Sequence, residues 1–131
     1  RKELRKIRET IGTVTEEPGV FFRIPGGEYN NEVLRTIYAC GSYPVAWSVD
    51  SMDWKEYEAG ELVRQLLQSC TIRDGEILRF HGEGENTGEM VKLLHPRLKE
   101  EGYEAVTVSQ MVYKDRYRMT TDGRQIPEKS K

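Results

Sequence analysis

Three short clusters, each at the end of a hydrophobic run, contain the side chains best suited to acid–base chemistry. They are RIPGG at Arg23–Gly27, DSMDW at Asp50–Trp54 and ILRFH at Ile77–His81. An imidazole can give or take a proton near neutral pH, a carboxylate can orient that imidazole, and a guanidinium can hold an anion. An arginine, two aspartates and a histidine brought together would therefore form an active site.

The spacing of these clusters indicates the elements that carry them. Successive clusters are about 30 residues apart, which is the length of one strand-plus-helix unit. Each cluster would then follow its own strand. In α/β folds the chemistry gathers at the carboxyl ends of parallel strands. The spacing therefore predicts that the clusters converge at one edge of the fold.

The hydrophobic pattern predicts alternating strands and helices. Four runs rich in β-forming residues predict strands at Val20–Ile24, Pro44–Val49, Glu76–His81 and Glu104–Val108. Four helices are predicted: Leu4–Ile11 ended by Gly12, Asn30 to Gly41 with Asn30 as its cap, Leu62–Cys70, and Met90–Glu101, interrupted or restarted at Pro96 and capped by Gly102. Strands separated by single helices predict an α/β fold with parallel pairing.

Composition limits the domain organisation and the class of partner. The chain has 131 residues, of which 37% are hydrophobic and 32% charged, which predicts one core, in residues 1–112. Residues 113–131 form a polar tail that we expect to be partly disordered. A net charge of −2 disfavours binding to nucleic acid, and we expect no membrane span. Cys40 and Cys70 each close a predicted helix, and their disulfide state stays open.

The three clusters, in this order, resemble motifs of the polysaccharide deacetylases, carbohydrate esterase family 4, also called the NodB-homology domain. The family's Arg-x-Pro-x-Gly motif resembles Arg23–Gly27, its Asp-x-x-Asp-Trp motif matches Asp50–Trp54 in full, and its strand that ends in histidine resembles Gly75–His81. A closing Leu-Lys-x-x-Gly-Tyr also matches Leu98–Tyr103. The resemblance covers about residues 21–112 and implies the carboxyl-terminal half of a deformed (β/α)7 barrel.

The resemblance implies a hydrolase that removes acetyl groups from N-acetylated sugars of peptidoglycan or chitin-like polymers, at an extracellular or cell-surface location. A divalent metal such as zinc would polarise the acetyl carbonyl in the complete domain. Its family ligands, one aspartate and two histidines, belong to motifs that this sequence lacks, so we expect no metal ligands in this chain. The first residues from Arg1 read as the middle of a helix. We therefore expect an amino-terminal half upstream or in a second chain, and no activity from this chain alone.

The resemblance assigns roles to three residues of the catalytic group. His81 would be the general acid that protonates the departing amine, and Asp53 would orient its imidazole and stabilise the imidazolium form. Arg23 would keep a catalytic aspartate of the other half ionised. Each residue also has an alternative without a catalytic role. His81 would then only form a hydrogen bond at the end of a strand, and Arg23 would form an ordinary salt bridge.

Four further residues would contact the substrate. Gly26 stands where the family has an aromatic residue whose backbone amide helps to form the oxyanion hole. Trp54 would offer a wall for a sugar ring, or only pack under the loop. Asp50 would cap the loop backbone or help to hold the substrate. These alternatives stay open at the level of sequence.

Arg79 departs from the family, which usually has leucine at this position in the acetyl pocket. Alternation along the predicted strand puts Arg79 on the same face as His81, and a buried guanidinium needs an anionic partner. Either the pocket accepts a charged substrate group, or Arg79 pairs with a carboxylate of the absent half. The altered motifs also leave open a non-catalytic interaction or structural module that keeps the deacetylase fold.

Overall fold

The computed structural model of the protein describes residues 1–15, 19–82 and 84–128. The chain forms two compact units, Arg1–Ala46 and Trp47–Lys131, and each has its own hydrophobic cluster. Both units contain a pair of parallel strands with helices beside them in the sequence. The protein is therefore a mixed α/β structure with parallel strands, as the sequence pattern predicted.

The described residues of the first unit form two α-helices, one short 3-10 helix and two strands. Its elements are α1 (Lys2–Thr15), β1 (Phe21–Arg23), a 3-10 turn (Pro25–Gly27), α2 (Asn31–Ala39) and β2 (Tyr43–Val45). Strands β1 and β2 pair in parallel. The predicted cap is confirmed, because the Asn30 side chain accepts a hydrogen bond from the Val33 amide at 2.9 Å. Leu4, Ile24 and Ile37 form the buried cluster of this unit.

Helix α1 extends beyond the end predicted for it at Gly12. The helix continues to Thr15, because a glycine inside a helix costs only about 1 kcal/mol and does not by itself end the hydrogen-bond ladder. The hydroxyl of Thr15 donates to the Ile11 carbonyl at 2.9 Å, as threonines inside helices commonly do. A glycine at the edge of an amphipathic pattern was therefore a weak stop signal.

The second unit contains the remaining elements. They are β3 (Val49–Asp50), α3 (Ala59–Ser69), β4 (Leu78–Arg79), α4 (Thr87–Glu100), α5 (Val108–Met111), β5 (Tyr117–Met119) and β6 (Gln125–Pro127). Strand β3 pairs in parallel with β4, with Asp50 opposite Arg79 in the register. Helices α3 and α4 pack together, and with β3 they bury one apolar cluster: Val49, Ala59, Leu62, Val63, Leu66, Met90 and Leu94.

Two predicted strands differ from the structure. The run Pro44–Val49 is divided, because Tyr43–Val45 pairs with β1 whereas Val49–Asp50 pairs with β4. The strand predicted at Glu104–Val108 is wrong. Thr107 instead begins helix α5 through a capping box, in which the Gln110 side chain accepts from the Thr107 amide at 2.9 Å. Within the described ranges the strands form three separate pairs, and no barrel is seen.

Helix α4 runs unbroken through Pro96, where an interruption or restart was predicted. Proline removes one backbone donor from the helix. Met90 and Leu94 are fully buried against α3, so tertiary packing stabilises the helix across this position. Gly102 ends it as predicted, with a φ of +91° that favours glycine.

Residues of the predicted polar tail form a hairpin, with β5 antiparallel to β6. Thr120 and Arg124 close its turn, since the Thr120 amide donates to the Arg124 carbonyl at 2.9 Å. Residues 129–131 of that tail lie outside the described part of the chain. Cys40 and Cys70 are free, half-buried thiols. Among the helices of the described residues, none combines the length and the apolar character that crossing a membrane requires.

Candidate active site

The centre of the candidate site is the carboxylate of Asp53, in the loop that follows β3. Its residue is only 1% exposed, although a charged group is rarely buried to this extent unless it is paired. Parallel pairing of β3 with β4 brings the segment after Asp50 next to the segment after Arg79. Asp53 and His81 are thereby brought together, as the motif spacing predicted.

Both oxygens of Asp53 accept several hydrogen bonds. Oδ1 accepts from the His81 amide at 3.0 Å and from the Ser51 hydroxyl at 3.1 Å, and it lies 2.7 Å from His81 Nδ1. Oδ2 accepts from the Gly82 amide at 3.2 Å and from the Thr87 hydroxyl. Backbone and side-chain donors from both sides therefore compensate for the burial of this carboxylate.

These hydrogen bonds determine the protonation state of Asp53. Burial on its own raises the pKa of a carboxyl group. The hydrogen bonds from the Thr87 and His81 side chains, and from the amides of His81 and Gly82, outweigh burial and hold the pKa of Asp53 well below its usual range. Asp53 is therefore an ionised carboxylate at neutral pH.

An ionised Asp53 selects one tautomer of His81. A carboxylate only accepts hydrogen bonds, so the proton between the two groups lies on Nδ1 of the imidazole. The opposite nitrogen, Nε2, is then the atom that can accept or release a proton. The His81 side chain is 22% exposed, so the imidazole is held at a surface accessible to solvent. This is the arrangement of an oriented general acid or base.

The loop between Asp50 and Trp54 has an unusual backbone that aims Asp53 inward. Met52 has a φ of +55°, which is rare for a residue other than glycine. Asp50 stabilises this turn, since its Oδ1 accepts from the Met52 amide at 3.0 Å. Gly84 packs so closely that a Cβ there would lie 2.6 Å from the Asp53 carbonyl oxygen. The loop and the segment after His81 are thus fitted to each other by a glycine.

Trp54 is an exposed aromatic side chain next to the imidazole. It is 57% exposed, and its ring lies nearly perpendicular to that of His81, with 6.4 Å between the ring centroids. The Lys55 ammonium lies 5.9 Å from the Trp54 ring. A large exposed aromatic surface beside an oriented histidine is suited to contact with an apolar ligand face, such as that of a sugar ring.

Arg79 finds its anionic partner within this chain. Its Nη1 lies 3.5 Å from Asp50 Oδ2, and its guanidinium carbon lies 4.1 Å from the centre of the Trp47 ring. About a quarter of each charged side chain is exposed. The carboxylate of Asp50 thus accepts from the loop backbone and faces Arg79. The backbone cap was one of the two roles considered for Asp50, whereas its pairing with Arg79 was not predicted.

Arg23 and Gly26 lie in the first unit. Arg23 is exposed at the end of β1, and Gly26 occupies the turn after it. Gly26 has a φ of +71°, which strains any other L-residue, and nothing lies within 4 Å of where its Cβ would be. The motif therefore contains a tight turn directly after β1. The functions expected of these two residues stay predictions.

Four residues of this region had no predicted role. Thr87 and Ser51 donate to Asp53, Trp47 supports Arg79, and Gly84 allows the close loop contact. Thr87 stands at the first residue of α4, where hydroxyl side chains often serve local capping, so its sequence position suggested another partner. Thr87 and Asp53 are 34 residues apart in the chain, so this contact can be identified only from the three-dimensional structure.

The described residues do not fit a metal centre. Among them no group of three or more histidine, cysteine, aspartate or glutamate side chains could hold a metal ion. The Asp53 oxygens are occupied by protein donors, and His81 Nδ1 is engaged with Asp53. A zinc or similar site would need three or four such ligands at one place.

Comparison with known proteins gives one consistent result. The peptidoglycan-N-acetylglucosamine deacetylase PgdA of Listeria monocytogenes is 32% identical over 109 residues, covering 81% of this chain and 22% of PgdA. The solved structure of the Bc1960 peptidoglycan N-acetylglucosamine deacetylase matches with a TM-score of 0.75 and 25% identity, covering 85% of this chain and 53% of Bc1960. No protein-family model matches the chain.

A solved protein of altered activity is also similar. BA3943 is a family 4 pseudoenzyme of Bacillus anthracis, and the solved structure is of a mutant with restored enzymatic activity. It matches with a TM-score of 0.73 and 25% identity, covering 84% of this chain and 41% of the BA3943 chain. The chain thus spans between about a fifth and a half of the length of these three proteins. Over this partial region, the chain is homologous to the family 4 carbohydrate esterases, the polysaccharide deacetylases of the NodB type.

Proposed function

We propose that this chain supplies the carboxyl-terminal half of the catalytic domain of a metal-dependent polysaccharide N-deacetylase. The substrate would be the acetamide group of N-acetylated sugars in peptidoglycan or chitin-like oligomers. The observation that carries the proposal is the His81 imidazole held 2.7 Å from the buried Asp53 carboxylate, within a chain homologous to such deacetylases. An oriented imidazole can supply the proton that the departing amine needs in amide hydrolysis.

The reaction needs a proton at one defined atom. When the C–N bond of an acetamide breaks, the acetyl group gains the oxygen of water and the departing nitrogen must gain a proton. His81 Nε2 is the atom that would deliver this proton, because Nδ1 is held by Asp53. Asp53 would therefore act as a positioning residue for His81.

The other predicted roles complete the proposal. The exposed face of Trp54 would contact the sugar ring beside His81, and the amide of Gly26 would contribute to an oxyanion hole. Arg23 would hold a carboxylate from outside this chain in its ionised form. The divalent metal of the complete domain would have its ligands outside the described residues. By this proposal the isolated chain is inactive.

A chimera tests the proposal. In it this chain replaces the homologous segment of the Bc1960 deacetylase, and acetate release from N-acetylglucosamine oligomers is measured. We expect the chimera to release acetate. The His81→Gln substitution should lower the rate of release at least 100-fold, because general acid catalysis contributes about that much or more. Metal content, measured on the same protein, should stay unchanged in this variant. A folded, metal-loaded chimera that is inactive, or equally active with His81→Gln, would contradict the proposal.

Two observations favour a second candidate function. The similarity to BA3943, a family 4 pseudoenzyme, together with the arginine at position 79, favours a non-catalytic module that binds polysaccharide and retains the deacetylase fold. The same chimera separates the two functions. Binding to N-acetylglucosamine oligomers without acetate release favours the module, whereas release that depends on His81 favours the enzyme.

A further inference from the structure

Arg79 places a cation beside the candidate site. The proton transfer proposed for His81 does not involve this cation. In the parallel pairing of β3 with β4, Arg79 lies opposite Asp50. The segments that follow these two strands bring His81 next to Asp53. Arg79 and His81 are two residues apart, so their Cα atoms are at most about 7 Å apart. The backbone positions of the cation and of the imidazole are therefore close enough for one disaccharide to span both side chains.

Trp47 fixes the position of this cation. The guanidinium carbon of Arg79 lies 4.1 Å from the centre of the Trp47 ring, which is well within the range of a cation–π interaction. Such a contact covers one side of the planar guanidinium and leaves its N–H groups, which lie in the plane, free to point elsewhere. Arg79 is thus held in place before any ligand binds, which reduces the entropy lost on binding.

The interaction of Arg79 with Asp50 is weak enough for an incoming carboxylate to compete with it. The two charged groups are 3.5 Å apart, whereas a strong hydrogen bond between an arginine and a carboxylate measures about 2.8 Å. Asp50 also accepts from the Met52 amide through its other oxygen. With 24% of its side chain exposed, Arg79 retains donors for a second anion.

We infer that Arg79, held by Trp47, gives this site a preference for N-acetylated sugars that carry a carboxylate close to the acetamide group. The inference rests on the proposed function, since it names the class of sugar that this site accepts. A guanidinium binds a planar carboxylate through two parallel N–H donors, and a neutral sugar offers no equivalent group. The carboxylate anchors the sugar while Trp54 contacts its ring and His81 faces the acetamide.

The test compares three disaccharides in titrations of the 15N-labelled chain, followed by NMR. One is the neutral N-acetylglucosamine disaccharide, the second carries a 3-O-lactyl carboxylate on one sugar, and the third carries the amide of that lactyl group. The residues that the inference uses all lie in the unit Trp47–Lys131, so the chain itself is the protein to titrate. The amide ligand isolates charge from size, because it differs from the acidic one only in its carboxylate.

We expect the acidic disaccharide to bind about tenfold more tightly than the neutral and the amide disaccharides. Arg79→Leu should remove this difference, and Arg79→Lys should restore only part of it, because an ammonium lacks the two parallel donors. Asp50→Asn should strengthen binding of the acidic sugar, since it removes the competing carboxylate. Equal affinities for all three sugars, or an unchanged ratio in Arg79→Leu, would overturn the inference.

The failure of this inference is distinguishable from the failure of the proposed function. If the chimera releases acetate while the three sugars bind equally, only the preference for acidic sugars is wrong. If the chimera is inactive while the acidic sugar binds through Arg79, the deacetylase proposal is wrong and the binding preference stands. A chain that binds none of the sugars overturns the inference whatever the chimera does. Should Arg79→Leu fail to fold, the acidic and amide ligands still decide the question on the unmodified chain.

Discussion

Two carboxylates three residues apart in one loop have opposite environments. Asp53 is buried, and its oxygens accept hydrogen bonds from two backbone amides and from three side chains. Asp50 is partly exposed, caps one turn and faces Arg79 at 3.5 Å. The difference shows how one loop can combine a fixed electrostatic centre with an adjustable charge pair at its edge. The fixed centre supports the histidine, whereas the adjustable pair is suited to exchanging partners with a ligand.

The largest expected effect is that of Asp53→Asn. In the unmodified chain the backbone amides of His81 and Gly82 donate to the Asp53 oxygens. Asparagine replaces one of these oxygens with an NH2 group, so buried donors lose their acceptor. We expect the free energy of unfolding to fall by about 3 kcal/mol. Urea unfolding followed by tryptophan fluorescence reports this, because Trp47 and Trp54, the two tryptophans of the chain, both lie in the unit Trp47–Lys131.

Asp50→Asn is the matched control for that measurement, since it makes the same substitution in the same loop. A loss of stability of less than about 1 kcal/mol for Asp53→Asn would contradict the view that the buried carboxylate organises the loop.

Lowering the pH is expected to have an intermediate effect on the free energy of unfolding. The pKa of Asp53 is lowered in the folded state, so the unfolded chain takes up a proton at a pH where the folded chain does not. The stabilisation by ionised Asp53 is complete above the unfolded-state pKa of about 3.9, and it is lost as the pH falls below that value toward the folded-state pKa. The loss should approach about 1.4 kcal/mol per pH unit.

Urea unfolding of the unmodified chain and of Asp53→Asn, measured from pH 6 down to about pH 3, isolates this titration. The difference in stability between the two proteins should shrink as the pH falls, because other carboxyl groups titrate equally in both. A difference that stays constant across this range would mean that Asp53 is not the group whose ionisation stabilises the fold.

The smallest effect is expected from Asp50→Asn. The asparagine oxygen can still accept from the Met52 amide, and partly exposed ion pairs contribute little to stability. We expect a change within about 0.5 kcal/mol in urea unfolding, with little dependence on salt. A loss comparable to that of Asp53→Asn would remove the contrast between the two aspartates and make the pair with Arg79 structural.

Local patterns in the sequence predicted the helices and the site more accurately than the strands. The cap at Asn30 and the apolar face of α3 follow from short-range rules, so both were predicted. The regular strand–helix spacing of their motifs predicted that Asp53 and His81 come close together, whereas the family resemblance implied that Asp53 orients His81. The strand predicted at Glu104–Val108 failed, because its β-forming residues competed with a capping box at Thr107.

The contacts that the sequence did not predict depend on tertiary structure. Thr87 reaches Asp53 only because α4 begins beside the loop, and Arg79 reaches Trp47 only because β3 and β4 are neighbours. Helix α4 continues through Pro96 because its buried face packs on α3, which outweighs the local preference to stop. Sequence patterns therefore identified the chemical groups but not the contacts from Thr87 and Trp47 that support them.

The hydrogen bonds from the amides of His81 and Gly82 to Asp53 span 28 and 29 residues, and this span has a consequence for how the protein folds. No local turn can form these bonds, since the intervening chain contains the whole of α3. The packing of α3 against α4 must therefore offset the entropy cost of closing so long a loop. The two amides should consequently exchange hydrogen with solvent only when this packing opens, although they lie in a short loop.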